Sequence, residues 1–114
     1  MLREAHVKRQ GFICSYCVDP LTQDTATLDH RKPWSQGGRN SRKNTVACCA
    51  HCNNTKSDMP EREFREAIKS PQRDHPLKIW MIHSRRRINI ALLQQEFKFG
   101  LTDVQFIPWH GRLK

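Results

Sequence analysis

No stretch of this sequence is apolar for long enough to cross a bilayer. Its longest aliphatic and aromatic runs are as short as Ile79-Trp80-Met81-Ile82 and Ile90-Ala91-Leu92-Leu93, against the roughly 20 residues a spanning helix needs. A membrane partner is therefore not expected. There is also no internal repeat and no low-complexity tract, which excludes a solenoid or a linker-like chain. The amino-terminal MLREAHVKRQGF lacks the apolar stretch of a secretory signal, and the expected location is intracellular. Acidic residues are scarce: 11 Asp and Glu face 20 Lys and Arg, giving a net charge of +9 and a pI near 9.8. Such an excess favours a polyanionic partner, because cations that neutralise phosphates release condensed counterions; nucleic acid leads on charge alone. Apolar mass is limited too. With 37% hydrophobic residues in 114 and a mean hydropathy of -0.77, the chain has the size of one domain with a modest core, and a staple is expected.

Cysteine supplies the staple. Cys14 and Cys17 make one C-x-x-C, Cys49 and Cys52 another, and Cys48 is left over. An odd number of cysteines in a chain without a secretory signal argues against a disulfide framework. Two knuckles far apart in sequence suit four thiolates around one structural Zn²⁺, each tight turn giving two ligands. Only Cys49 keeps the two-residue gap to Cys52, so Cys48 reads as a small buried apolar residue. His51 lies inside the second knuckle, where acting as a ligand would displace a better-spaced cysteine.

The pattern along the chain predicts a short helix over 3–10, ending at Gly11, and strand character at Thr25–Leu28, closed by Asp29-His30. A loop rich in Pro33, Gly37, Gly38, Asn40 and Ser41 follows, with a return strand over 44–47. One or two helical turns are expected from Cys52-Asn53. Pro60-Glu61 opens a helix with Phe64, Ala67 and Ile68 on one face, which ends at Ser70-Pro71. Residues 77–99 are mostly helical in pattern, with Gly100 as a stop, although Ile79–Ile82 also fits a strand. Phe64, Trp80, Phe97 and Trp109 read as core. His6, His75, His83 and His110 match no motif.

The stretch LDHRKPWSQGGRNSRKNTVACCAHCNNTK carries the chemistry. Its Asp-His pair, Gly-Gly, Asn44 and C-x-x-C-N-x-x-K spacing resembles the HNH endonuclease family, and the resemblance covers Cys14 to about Asp58. It implies a small α+β fold: a ββα-metal core over 1–58, stapled by the four-cysteine zinc site, and a mainly helical extension over 59–114 packing on that core. It also implies a metal-dependent DNA endonuclease that hydrolyses phosphodiester bonds. His30 would deprotonate the attacking water, since an unperturbed imidazole titrates near neutrality. Asp29 and Asn53 would hold one divalent ion, and Asn44 would fix the loop and orient His30. Neighbours on a strand point to opposite sides, so Asp29 can face the ion while His30 faces the water. Where some members carry a histidine four residues after the Asn53 position, this chain has Ser57. Two oxygen ligands from the protein suit Mg²⁺ or Mn²⁺ better than Zn²⁺ or Ni²⁺.

Lys56 matches the family lysine and is expected near the phosphate, with a solvated helix lysine as the alternative. Arg31, Lys32, Arg39, Arg42 and Lys43 surround Trp34, a mixture suited to clamping a DNA backbone and stacking on a base. Trp34 could equally be a hydrophobic anchor for the loop. Arg85, Arg86 and Arg87 form a second basic cluster, either a DNA contact or a solvated helix face. A monomer or homodimer is expected. The alternative to catalysis is a zinc-knuckle nucleic-acid-binding module; the set Asp29, His30, Asn44 and Asn53 argues against it, because mere binding needs no base beside a metal carboxylate.

Overall fold

A computed structural model of the chain describes residues 2–98. The expected stop at Gly100 and the side chains of Phe97, Trp109 and His110 lie outside the described residues. The architecture is small α+β. Helix α1 spans Leu2–Arg9, strand β1 Ala26–His30, β2 Thr45–Cys49, α2 Ala50–Lys56, α3 Glu61–Lys69 and α4 Leu77–Lys98, with one 3-10 turn at Trp34–Gln36. The strands pair antiparallel from Ala26 opposite Cys49 to His30 opposite Thr45. An isolated bridge between Ile13 and Pro20 closes the first knuckle.

Pro60 caps α3 with extended backbone, and Glu61 and Glu63 lie in the first turn, where acidic side chains complement the exposed N–H groups. Phe64, Ala67 and Ile68, spaced i, i+3 and i+4, are its buried face. Full burial of such a Phe or Ile contributes about 1.5–3 kcal/mol. These residues share one core cluster with the knuckle cysteines, Tyr16, Ile79 and Ile82. That clustering settles the ambiguity at 79–82. Ile79 and Ile82 are both buried while Trp80 and Met81 face outward, which is helical spacing, since a strand would bury alternate residues. Trp80, expected in the core, is 37% exposed because the helix rotates it away. Further along α4, the buried Asn89 donates from Nδ2 to the Cys17 carbonyl at 2.9 Å and to Asp19 Oδ1 at 2.7 Å, tying α4 to the first knuckle.

A second small cluster, Val7, Leu21, Ala26 and Ala47, seats α1 against the strands. Gln10 acts there as a short piece of strand: its Oε1 accepts from the Ala47 N–H and its Nε2 donates to the Ala47 carbonyl, both at 2.9 Å. His6 is buried between Arg9, which donates to Nδ1 at 3.2 Å, and the Thr45 hydroxyl, 2.9 Å from Nε2. Thr45 in turn donates to the Ser41 carbonyl at 2.7 Å. An accepting Nδ1 and a donating Nε2–H define a neutral ring. Burial, and then the charges of Arg9, Arg42 and Arg31, hold its pKa below the ordinary 6.5. A base depressed in the fold binds its proton more readily when unfolded, so its contribution is present above pH 6.5 and is lost as pH falls below it. Denaturant midpoints between pH 7.5 and 5 should therefore decline, and the decline should be shallower in His6→Leu, whatever that variant's starting stability. An equal slope in both proteins would refute the assignment.

Candidate active site and zinc centre

Cys14, Cys17, Cys49 and Cys52 place their sulfurs within 4.8 Å of one another, and none is in a disulfide. Tetrahedral zinc with Zn–S near 2.3 Å separates its sulfurs by about 3.8 Å; Cys17 and Cys49 lie 3.9 Å apart. Backbone N–H groups of Tyr16 and Cys49 reach Cys14 Sγ, and that of Cys52 reaches Cys49 Sγ, each at 3.4 Å, a donor set that favours thiolates. The donor set fits one zinc ion. Cys48 packs in the core beside Cys14, Cys17 and Cys52 but is not part of the four-sulfur set; it is fully buried, and burial pushes its thiol up. His51 is exposed and is outside the thiol cluster.

Asp29 is 4% exposed and both of its oxygens are engaged. The Tyr16 hydroxyl donates to Oδ2 at 2.6 Å and Lys56 Nζ lies 3.3 Å from Oδ1. Burial, reinforced by the bond to Asp29, raises the Tyr16 phenol well above its ordinary value, so it remains a donor. Lys56 also donates to the His30 carbonyl at 2.9 Å, and its side chain is fully buried. It is therefore not the solvated helix lysine offered as the alternative reading. An isolated carboxylate costs several kcal/mol to bury, and Lys56 on α2 supplies its counter-charge. The carboxylate still has lone pairs beyond those two contacts.

His30 ends β1. Its Nε2 is buried and has no hydrogen-bond partner, whereas buried polar atoms are ordinarily paired. The ring meets Trp34 edge-on, with centroids 5.9 Å apart at 64°. Trp34 itself is 68% exposed, so it is not a buried anchor for the loop. The 3-10 turn that presents it ends at Gly37 in the left-handed region, φ 89°. At Gly38 a Cβ would fall 1.8 Å from the Lys32 carbonyl oxygen, so only glycine fits. Asn44 clamps the same loop: its Oδ1 accepts from Lys32 N at 2.9 Å, and its Nδ2 donates to the carbonyls of Lys32 and Arg39 at 3.2 and 2.8 Å. Its side-chain hydrogen bonds go to the loop backbone rather than to the His30 ring. Asn53, half-buried on α2, donates from Nδ2 to Thr27 Oγ1 at 3.0 Å.

The basic residues divide. Lys32, Arg39, Arg42 and Lys43 are exposed, but Arg31 pairs with Glu61 at 3.0 Å and donates to the Lys43 carbonyl at 3.2 Å. In the second cluster Arg85 pairs with Asp19 at 2.9 Å, Arg86 is half-buried and Arg87 exposed. Tyr16, Thr27 and Asp19 were not singled out by the motif. The only local signal was for Tyr16, the chain's one tyrosine, placed inside the first C-x-x-C.

Two antiparallel strands and a short helix thus carry Asp29 and His30 at the end of β1 and the half-buried Asn53 on α2, where it reaches Thr27, two residues before Asp29; the four-thiol cluster adjoins the other end of the hairpin, where Cys49 stands opposite Ala26. Residues 14–59 match the HNH endonuclease family. The chain is similar to part of the CRISPR-associated endonuclease Cas9 of Corynebacterium diphtheriae, 41% identical over 59 residues, 51% of this chain and 5% of that protein. Against the Cas9 of Actinomyces naeslundii it is 42% identical over 52 residues, 45% of this chain and 5% of that protein. The crystal structure of the type II-C Cas9 from Actinomyces naeslundii superposes with a TM-score of 0.48 and 25% identity over 75% of this chain and 12% of that one. The chain therefore spans a small fraction of the length of these relatives.

Proposed function

We propose that the chain is a metal-dependent DNA endonuclease of HNH type, with His30 as the base that activates water. The observation that carries this reading is the buried, unpartnered Nε2 of His30, one residue from a carboxylate held rigid by Tyr16 and Lys56. A ring nitrogen that the fold leaves without a partner is one a general base can use in its accepting tautomer, because the proton it takes must come from the reacting water. Asp29 and Asn53 would hold the divalent ion through oxygen. Ser57 stands where some family members have a histidine, which leaves an all-oxygen protein shell suited to Mg²⁺ or Mn²⁺. When bound, the ion supplies positive charge against the negative charge that develops on the phosphate and its leaving oxygen.

The chain's own groups divide the remaining work. Asn44 holds the loop from Lys32 to Arg39 in one shape, so the exposed cations on it present a fixed charge pattern to a phosphate backbone. Trp34 supports the edge of His30 and leaves most of its ring exposed, where an unpaired base could stack. The +9 charge favours DNA at long range. Zinc-loaded protein stripped of the second ion is expected to cut supercoiled plasmid on addition of Mg²⁺ or Mn²⁺, and not with further Zn²⁺. If it binds DNA but never cuts, the zinc-knuckle binding module replaces this reading; cleavage best supported by Zn²⁺ or Ni²⁺ would reveal a nitrogen ligand.

A further inference from the structure

We infer that Thr27 is a positioning residue that sets the orientation of the Asn53 amide, so that the amide presents its oxygen, not its NH₂, to a divalent cation. The inference rests on the proposed role of Asn53 and adds to it a residue outside the Asp-His and Asn motif. A threonine hydroxyl has one proton to give and lone pairs to accept with. In β1, Thr27 stands opposite Cys48, and its hydroxyl donates to the Cys48 carbonyl at 2.9 Å. That proton is committed. What approaches Thr27 Oγ1 from α2, at 3.0 Å, must then be a donor, and Asn53 Nδ2 is that donor. Were the amide turned over, Oδ1 would face a hydroxyl oxygen with no proton left for it, and one of the two hydrogen bonds would be lost.

The consequence falls on the far side of the amide. With Nδ2 fixed on Thr27, Oδ1 points away, and it takes no hydrogen bond among the described residues. It is a neutral oxygen donor held ready, of the kind Mg²⁺ and Mn²⁺ take. Without the Thr27 bond nothing would hold that orientation, and the amide could turn the positive end of its dipole to the cation. The position of Thr27 makes this possible: it shares a side of β1 with Asp29, two residues on. One strand face thus carries both the carboxylate and the hydroxyl that orients the second oxygen ligand.

The test is Mn²⁺ binding to the zinc-loaded full chain, read from the electron paramagnetic resonance signal of free Mn²⁺. Thr27→Val removes the hydroxyl at nearly constant shape and should weaken Mn²⁺ binding about tenfold, the lower end of what loss of a supporting hydrogen bond costs a metal site, whereas Thr27→Ser should stay within about twofold of the parent. Zinc content, which a collapse of the fold would move, should stay at that of the parent in both. Thr27→Ala gives the same reading if the valine variant does not fold. In an Asn53→Asp background, where either oxygen can face the ion, Thr27→Val should cost less than about twofold. The inference is overturned if Thr27→Val binds Mn²⁺ as the parent does, or if its loss is as large in the Asn53→Asp background. Asp29→Ala separates this from the underlying reading: if it abolishes binding while Thr27→Val changes nothing, only the role of Thr27 falls. If Asp29→Ala also changes nothing, the proposed ion site falls with it.

Discussion

Cys14→Ser is expected to lose zinc and, with it, the folded state. Cys14 is 1% exposed and accepts N–H bonds from Tyr16 and Cys49, so it is bound both into its own knuckle and across to the second. Structural zinc contributes about 10–16 kcal/mol to folding in small zinc domains, as much as the about 5–15 kcal/mol of net stability that a typical domain has. The loss would not stay local, because Tyr16, inside the same knuckle, holds Asp29. Elemental analysis of the parent should give one zinc per chain, and the serine variant none, with no cooperative melting transition. Cys48→Ala is the control: its thiol is not part of the four-sulfur cluster, so zinc should be retained. A parent without zinc, or a well-folded Cys14→Ser, would refute the centre.

His30→Ala should lower the rate of cleavage by about 10² to 10⁴, the range for loss of a general base, while leaving the fold and DNA affinity nearly unchanged. The basis for that separation is geometric. The Lys56 bond at His30 goes to the carbonyl oxygen, which alanine keeps, and Nε2 holds nothing in the fold. Of the exposed cations that would meet the backbone, Lys32 and Arg39 are positioned by Asn44 rather than by the His30 ring.

How much of this was legible in the sequence follows from how local each interaction is. The four cysteines could be paired into one centre because each knuckle is a contiguous turn with fixed spacing. Asp29 and His30 could be placed because strand neighbours point apart, and the hairpin, α2 and α3 followed from turn and cap residues. Lys56 could not be placed: whether a helix lysine reaches solvent or a buried carboxylate depends on the rotation of α2 over β1, which no local pattern encodes. Arg31 and Arg85 read as free cations, but Glu61 and Asp19, distant in sequence, occupy them. Trp34 was ambiguous between anchor and exposed face because burial depends on what the loop packs against, and the fold puts nothing over most of its ring. Thr27 carries no motif at all. Its part emerges only when the Cys48 carbonyl and the Asn53 amide are brought to the same hydroxyl.

The role of His30 as the base is tested most directly by single-turnover cleavage of labelled DNA in Mg²⁺ or Mn²⁺ by the parent and by His30→Ala, with zinc content and DNA affinity determined on the same preparations. The parent should cut, a chelator of the second ion should stop it, and the variant should bind equally well but cut about 10² to 10⁴ times more slowly. Equal rates for the two proteins, or a zinc-loaded parent that binds DNA and leaves it intact with either ion, would contradict that role.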